Sequence, residues 1–168
     1  MRDEERQRTI DEWLESYQGL IWKVVRAYAF TSHDREDLFQ EIAFQLWESI
    51  PRFKRESKVT TWIYRVSLYS GIAWSKRERR HSERALAMEE SPVLEETEED
   101  PRLSWLYKQI ATLDVIDRSL VLLLLEGMSY REMADTLGIS EENVGVKIHR
   151  VKKVLEERSN REENNDGF

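Results

Sequence analysis

The sequence predicts an all-α protein made of two small helical domains joined by a flexible acidic linker. Apolar residues recur at spacings of three and four before residue 82 and again after residue 102, which is the period of amphipathic helices. Between these blocks, residues 85–102 hold seven acids, two prolines and no glycine, without a sustained period. This composition is typical of a linker, so the two flanking blocks are predicted to be separate domains.

The first two predicted helices form the N-terminal core. Residues 9–29 read as one amphipathic helix or a pair of them, and residues 37–50 as a second helix that is capped by Ser32 or Asp34 and closed by Pro51. The apolar side of the second helix is wider than one core face requires. It is therefore either an internal core helix or a mixed acidic and aromatic surface for a partner.

A basic, aromatic block follows these helices. Residues 53–61 are predicted to be a short polar loop, and residues 61–80 a helix. Residues 52–84 carry ten Lys or Arg against three Asp or Glu. Aromatic rings interleaved with cations suit single-stranded DNA, because an unstacked base lies on a ring while a cation holds its phosphate. The alternative is a core helix that buries Trp62 and ends in a solvated basic tail.

The C-terminal block predicts four helices. The first two lie near residues 103–113 and 117–126, with residues 120–125 fully buried. A helix-turn-helix follows over residues 129–155: Ser129 and Glu132 form a capping box, Gly138 ends the first helix, and Ser140 caps the second. The polar tail, residues 158–168, is predicted to be disordered.

The last predicted helix has an outward face that carries amide and cationic side chains. Asn143, Lys147 and Arg150 lie on this face, and no acid occurs between Lys147 and Lys153. Such a helix fits the major groove of DNA, with its N-terminal residues at base edges and its cations near phosphates. The alternative is an ordinary helical hairpin with a solvated basic face.

Composition limits the remaining classes of function. The formal net charge is −7, but the cations concentrate in the basic block and in the last helix, as two DNA-contacting surfaces require. There is no cysteine and the three histidines are scattered, so we expect no metal, no cofactor and no catalytic site. No apolar leader or membrane-spanning run occurs in this sequence, so we expect a cytoplasmic protein without membrane insertion.

Three stretches, in this order, resemble the extracytoplasmic-function group of the sigma-70 family over residues 13–155. They read DREDLFQEIAFQLWESIPRF, ESKVTTWIYRVSLYSGIAWSKRERR and DVIDRSLVLLLLEGMSYREMADTLGISEENVGVKIHRVKKVL. The resemblance implies sigma region 2 over residues 9–81, a linker over 82–102 and sigma region 4 over 103–157. It also implies three partners: core RNA polymerase through its β′ and β subunits, promoter DNA, and an anti-sigma factor.

The resemblance implies three sets of binding residues. The set for the polymerase β′ coiled coil is Asp37, Leu38, Gln40, Glu41, Phe44 and Trp47. The set for the minus-ten element is Lys58, Thr60, Trp62, Tyr64, Arg65, Tyr69, Lys76 and Arg77, beside a loop, residues 53–61, that resembles the one capturing an extruded base. The set for the minus-thirty-five element is Ser140, Glu141, Asn143, Val144, Lys147 and Arg150.

The chain departs from its relatives at two places. Tyr69 and Ala73 stand where many relatives carry Asn and Asp in the minus-ten helix. In the last helix, Gly145, Val146 and Lys147 follow Val144, where relatives often have Lys-Ser-Arg. We therefore expect an unusual minus-thirty-five sequence, and we do not carry over the minus-ten base preference of the relatives.

The predicted function is that of an alternative sigma factor, which binds core polymerase, recognises both promoter elements and promotes strand opening. One alternative is a helix-turn-helix transcriptional regulator without a sigma role, which would bind duplex DNA without polymerase. A second is an interaction protein that docks on polymerase without recognising a promoter. An enzyme is the least favoured class.

Overall fold

A computed structural model describes residues 1–85 and 100–166, and no strand occurs among them. The described residues form seven α-helices and one 3-10 turn. The chain divides into two compact units, Met1–Lys108 and Gln109–Phe168. The predicted all-α class with two domains is confirmed.

The first unit is built on three long helices. They are α1 (Asp3–Tyr28), α2 (Ser32–Ser49) and α3 (Val59–Ala85), and a 3-10 turn (Ile50–Arg52) follows α2. Each of the three packs against the other two. Their fully buried side chains include Ile21, Val24, Leu38, Ile42, Leu46, Ile63 and Leu68. α1 is thus one helix rather than a pair.

Local chemistry fixes the ends and the packing of these helices. Thr31, rather than Ser32 or Asp34, caps α2, because its side-chain oxygen accepts a hydrogen bond of 3.1 Å from the Asp34 backbone N–H. α3 approaches α1 closely at Gly71, where an added Cβ would lie 2.6 Å from Cδ2 of Tyr28. The helix pair therefore packs at this distance only with glycine at position 71.

The second unit contains the end of α4 (Pro101–Ala111), together with α5 (Val115–Leu125), α6 (Tyr130–Leu137) and α7 (Glu141–Asn165). Its core holds Ile110, Leu120, Leu123, Met133, Val144 and Ile148. The prediction that the whole run 120–125 is buried is wrong at its end. Leu125, in the last turn of α5, is 58% exposed.

Two predicted irregular segments differ from the structure. α7 continues to Asn165, through most of the predicted disordered tail. The Arg158 guanidinium ties this part of α7 to the residues around the end of α4, because it donates hydrogen bonds to Gln109 Oε1 at 3.0 Å and Thr112 Oγ1 at 2.6 Å. Of the predicted linker, 82–102, the first four residues continue α3, and residues 86–99 lie outside the described part of the chain.

None of the described helices has a stretch long and apolar enough to cross a membrane. Among residues 1–85 and 100–166, no three His, Cys, Asp or Glu side chains are grouped as metal ligands would be.

Candidate nucleic-acid and polymerase interfaces

The helix-turn-helix of the second unit begins with the predicted capping box. The Glu132 backbone N–H donates to Ser129 Oγ at 3.1 Å, and the Ser129 backbone N–H donates to Glu132 Oε2 at 2.7 Å. Gly138 ends α6 in the left-handed conformation, with φ of 68°. Ser140 then caps α7 by accepting from the Asn143 N–H at 3.1 Å. All three local predictions are confirmed.

The core contacts of α7 fix which of its side chains face solvent. Val144, Ile148 and Val151 are buried. At 100° per residue, the opposite face carries five exposed side chains along the first half of the helix. They are Glu142, Val146, His149, Arg150 and Lys153. This face is the one that a groove of DNA would meet.

Only part of the predicted minus-thirty-five set lies on an accessible surface. Ser140, Glu141, Asn143 and Arg150 are exposed. Val144 is fully buried, so its assignment to DNA contact is corrected: it belongs to the core side of α7. Lys147 is partly buried, and Asp117 of α5 holds it.

Lys147 belongs to a small charge cluster at the start of α5. Its Nζ lies 3.5 Å from Asp117 Oδ1, and its side chain is 24% exposed. Asp114 caps α5 by accepting from the N–H groups of Ile116 and Asp117 at 3.0 and 2.9 Å. Lys147 therefore links α7 to α5, and its ammonium group is turned partly away from the outer face.

The two carboxyls of this cluster differ in their pKa. Burial raises the pKa of Asp117, the adjacent Asp114 carboxylate raises it further, and Lys147 only partly compensates. Burial also acts to raise the pKa of Asp114. The Asp117 backbone N–H and the charge of Lys147 outweigh that effect, so the pKa of Asp114 falls below its ordinary value.

In the first unit, α2 presents an aromatic and acidic surface. Asp37 and Gln40 are exposed, Glu41 is half-buried, and Phe44 is 56% exposed with its ring centroid 6.4 Å from that of Trp47. Leu38 has no exposed surface, so its assignment to the docking set is corrected to core. The structure therefore brings five of the six predicted polymerase residues to the surface of α2.

Arg6 of α1 holds Trp47 in place. Its guanidinium carbon lies 3.4 Å from the Trp47 ring centroid, and its Nε donates to the Trp47 carbonyl oxygen at 2.6 Å. Its Nη2 lies 3.2 Å from Glu48 Oε1. Trp47 therefore stands at the surface with its carbonyl and its ring fixed by one side chain.

The loop between the 3-10 turn and α3 is anchored at its first residue. The Phe53 ring centroid lies 5.5 Å from that of Trp13 and 5.4 Å from that of Trp62. After this anchor, residues 54–58 are exposed. The backbone of Arg55 adopts φ of 58°, which is uncommon for residues other than glycine, Asn or Asp. A cavity of about 450 Å³ lies between this loop and α1.

The predicted minus-ten set divides between surface and core. Lys58, Arg65, Lys76 and Arg77 are exposed, Tyr69 is 45% exposed, and Thr60 is half-buried. Tyr64 is 1% exposed, so its assignment to DNA contact is corrected to core. Trp62 is half-buried, and its Nε1 donates to Ser49 Oγ at 3.0 Å.

A groove of about 620 Å³ runs between α2 and α3. Two cations and two aromatic rings line it together with polar side chains of α2. They are Glu41, Gln45, Arg52, Trp62, Arg65 and Tyr69. The groove combines a surface for a flat ring, a positive edge and hydrogen-bonding groups, which is the chemistry of a site for an unpaired nucleotide.

The order of matches to known families along the chain decides its identity. Residues 13–81 match the family model of sigma-70 region 2, and residues 103–155 match that of sigma-70 region 4, so the two models cover more than half of the chain. The chain belongs to the sigma-70 family. The predicted membership of the sigma-70 family is confirmed.

Individual sigma factors are similar at low identity. SigE, an ECF RNA polymerase sigma factor of Mycolicibacterium smegmatis, is 26% identical over 153 residues, which cover 86% of this chain and 59% of SigE. The RNA polymerase sigma-H factor of Bacillus subtilis is 23% identical, with 88% of this chain and 80% of sigma-H covered. The chain thus spans about three fifths of the length of SigE.

Two solved sigma-factor structures share the fold. The sigma factor RpoE of Bartonella quintana, solved with the anti-sigma factor NepR, has a TM-score of 0.72 and 16% identity over 89% of this chain and 96% of RpoE. CnrH, solved with the cytosolic domain of CnrY, has a TM-score of 0.65 and 18% identity over 92% and 89% of the two chains.

Sequence reasoning missed three residues at these surfaces of the sigma-70 fold. Arg6 contacts Trp47 across a separation of 41 residues, and no local pattern indicates that contact. Asp117 pairs with Lys147 between two helices. Val146 could have been found, because it lies two residues from buried Val144 and therefore on the opposite side of a helix.

Proposed function

We propose that this chain is an alternative sigma factor that binds core RNA polymerase, recognises minus-thirty-five and minus-ten promoter elements and promotes strand opening. One observation carries the proposal: a single chain holds an exposed helix-turn-helix face in one unit and a cationic, aromatic groove in the other. The first suits duplex DNA and the second suits an unpaired strand. A regulator that binds only duplex DNA has no use for the groove.

Region 4 supplies the duplex contact in this proposal. α7 enters the major groove with Ser140, Glu141 and Asn143 near base edges, and Arg150 and Lys153 near phosphates. Each phosphate that a cation neutralises adds about −0.9 to the slope of log affinity against log salt concentration. The contribution of region 4 to promoter binding is therefore strongly dependent on salt.

Region 2 supplies the contact with the opened strand. A base stacked on Tyr69 in the groove contributes roughly 1–3 kcal/mol, while Arg65 and Arg52 hold phosphates. Extruding a base from the duplex costs a few kcal/mol, which such stacking offsets. The cavity beside the loop at Arg55 and Lys58 offers a second place for an extruded base. Lys76 and Arg77 extend the positive surface along α3.

The exposed side of α2 is proposed to dock on the β′ coiled coil of polymerase. Asp37, Gln40 and Glu41 provide polar contacts around Phe44 and Trp47, as at an interface with an aromatic centre and a polar rim. The Arg6 contact orders Trp47 before binding, which lowers the entropy lost on docking.

We also propose an anti-sigma factor as a partner and the cytoplasm as the compartment. Both solved sigma factors described above are complexes, one with the anti-sigma factor NepR and one with a domain of CnrY. A partner of this class would compete with polymerase or DNA for the surfaces described here.

Run-off transcription with core polymerase on fragmented genomic DNA tests the sigma function. We expect new transcripts with defined starts, and permanganate-reactive thymines just upstream of those starts. Replacing Arg65 and Tyr69 together by alanine should abolish both signals, while Arg161→Ala, an exposed cation far along α7, should leave them unchanged. Absence of transcripts with retained binding to duplex DNA would instead favour the helix-turn-helix regulator.

Binding to core polymerase tests the docking surface separately. Phe44→Ala should weaken binding to core polymerase without changing helix content, because its ring is exposed. Arg6→Ala should weaken binding to a smaller extent, because Trp47 remains present but less ordered. If both variants bind core polymerase like the wild type, α2 is not the docking surface.

A further inference from the structure

We propose that Val146 determines promoter specificity by contacting the 5-methyl group of a thymine in the minus-thirty-five element. This inference rests on the proposed sigma function and deepens its duplex-recognition step. Val146 was not among the residues predicted to contact DNA. Its place in the structure makes it the apolar group that a major groove would meet first.

The rotation of α7 fixes where Val146 points. Val144 and Ile148, two residues to either side, are buried in the core of the second unit. Two residues of helix correspond to 200°, so Val146 projects from the opposite side, and it is 52% exposed. It is the sixth residue of a helix whose first residues are fixed by the Ser140 cap, in the part of a recognition helix that reaches base edges.

The residues on both sides of Val146 leave it uncovered. Gly145 has no side chain, and Tyr130 of α6 lies next to it: the ring carbon Cε2 would be 3.7 Å from a Cβ at that position. Lys147 on the other side is drawn toward Asp117 of α5. The valine methyl groups therefore protrude between a glycine and a withdrawn lysine.

The side chains one turn away are charged. Glu142 precedes Val146 by four residues and Arg150 follows it by four, and both are exposed. A carboxylate accepts from the N4 amino group of cytosine, and a guanidinium donates to guanine or phosphate, whereas a valine offers no hydrogen bond. The only base feature in the major groove that suits valine is the thymine methyl group.

Single exposed apolar residues are common and need no explanation by themselves. Val146 differs because its charged neighbours at i−4 and i+4 form a line across the face that would enter the groove. An acid, an apolar group and a cation spaced one turn apart can each contact a different feature of a base pair or the backbone.

The magnitude follows from the area of one methyl group. Removing a methyl from a buried apolar contact costs about as much as one CH₂, so replacing the contacted thymine with deoxyuridine should weaken binding about threefold to fourfold. In Val146→Ala the contact no longer exists, so thymine and deoxyuridine should bind equally.

The test uses the full chain bound to core polymerase and the minus-thirty-five element upstream of the mapped transcript starts. Fluorescence anisotropy measures binding to duplexes in which each thymine of that element is replaced in turn by deoxyuridine. We expect one position at which wild type discriminates and Val146→Ala does not. Lys153→Ala, on the same face, is the matched control: it should weaken binding to thymine and deoxyuridine duplexes by the same factor.

The outcomes separate this inference from the sigma function. If transcripts start at defined sites and an upstream element is bound, but no deoxyuridine position depends on Val146, the inference is overturned and the sigma function stands. An upstream element without thymine overturns it equally. If no polymerase-dependent promoter binding occurs, the proposed function itself fails.

Discussion

Alanine substitution at two of the glycines inside long helices should have opposite effects on stability. Gly71 lies in α3 and Gly145 in α7, and neither has a positive φ. Helix propensity alone predicts that alanine stabilises each helix by about 0.8–1 kcal/mol. The neighbours of the two glycines reverse this expectation at only one of them.

At Gly145 the added Cβ would lie 3.7 Å from Cε2 and 3.8 Å from Cδ2 of Tyr130, which is ordinary contact. The propensity gain should therefore remain, at about 0.8–1 kcal/mol. At Gly71 the Cβ would lie 2.6 Å from Cδ2 and 2.9 Å from Cγ of Tyr28. The Tyr28 ring is buried, so the strain must be relieved by moving α1. Overpacking costs about 1–3 kcal/mol, so we expect a net loss of up to about 2 kcal/mol.

Urea unfolding of the full chain measures both effects at once. Five of the six tryptophans lie in α1, α2 and α3, and the sixth, Trp105, lies in α4, so tryptophan fluorescence follows mainly the first unit, while far-UV circular dichroism follows helix in both units. Gly71→Ala should lower the urea midpoint of the fluorescence transition. Gly145→Ala should leave that midpoint unchanged and should raise the urea midpoint of the dichroism signal that comes from the second unit. The penalty at Gly71 should shrink in a Tyr28→Ala background, as a double-mutant cycle measures. An equal gain in stability from both glycine substitutions would refute the close approach of α3 to α1.

Three further predictions concern the charge cluster and the outer face of the second unit. Asp114→Ala removes two hydrogen bonds to the N-terminus of α5 and should lower the free energy of unfolding of this unit by about 1 kcal/mol in urea titrations at neutral pH. The two carboxyls should act oppositely across acid pH. The pKa of Asp114 is lowered, so its stabilising effect is present above the pKa that this group has in the unfolded chain and is lost as pH falls through its lower pKa in the folded chain. The pKa of Asp117 is raised, so its ionisation costs stability as pH rises through its higher pKa in the folded chain. Asp117→Asn should therefore remove a fall in stability with rising pH just above the ordinary carboxyl range, measured by unfolding at a series of pH values; an unchanged pH profile would contradict the assignment. Finally, Arg150→Ala should reduce the salt slope of promoter binding by about 1, whereas Lys147→Ala should change the slope less, since Asp117 already pairs with Lys147; equal slope changes would mean that both cations contact phosphate.

The sequence predicted the helices well because their signals are local. The capping box at Ser129, the left-handed Gly138 and the cap at Ser140 each depend on residues within four positions of one another, and each occurs as predicted. Both α3 and α7 were predicted to end several residues too early. The extension of α7 depends on Arg158 reaching Gln109 and Thr112, and such a distant contact leaves no periodic trace in the sequence.

The binding residues were harder to predict, because a motif marks a stretch of helix and not one side of it. Leu38, Tyr64 and Val144 lie within the predicted binding stretches but face the core. The apolar period separates these faces when it is applied residue by residue: Val144 and Ile148 define one side of α7, and Val146 necessarily falls on the other.

Lys147 shows what that rule cannot give. It stands 100° from Val146 on the same helix and carries the charge expected of a phosphate contact, but its ammonium group pairs with Asp117 of α5. The pairing exists only because α5 and α7 pack together: Asp117 lies in the first turn of α5, which the Asp114 side chain caps. Withdrawing a cation from the outer face leaves Val146 and Arg150 to meet the groove. In the proposed binding mode, this contact between α5 and α7 therefore also selects which residues of α7 meet the groove.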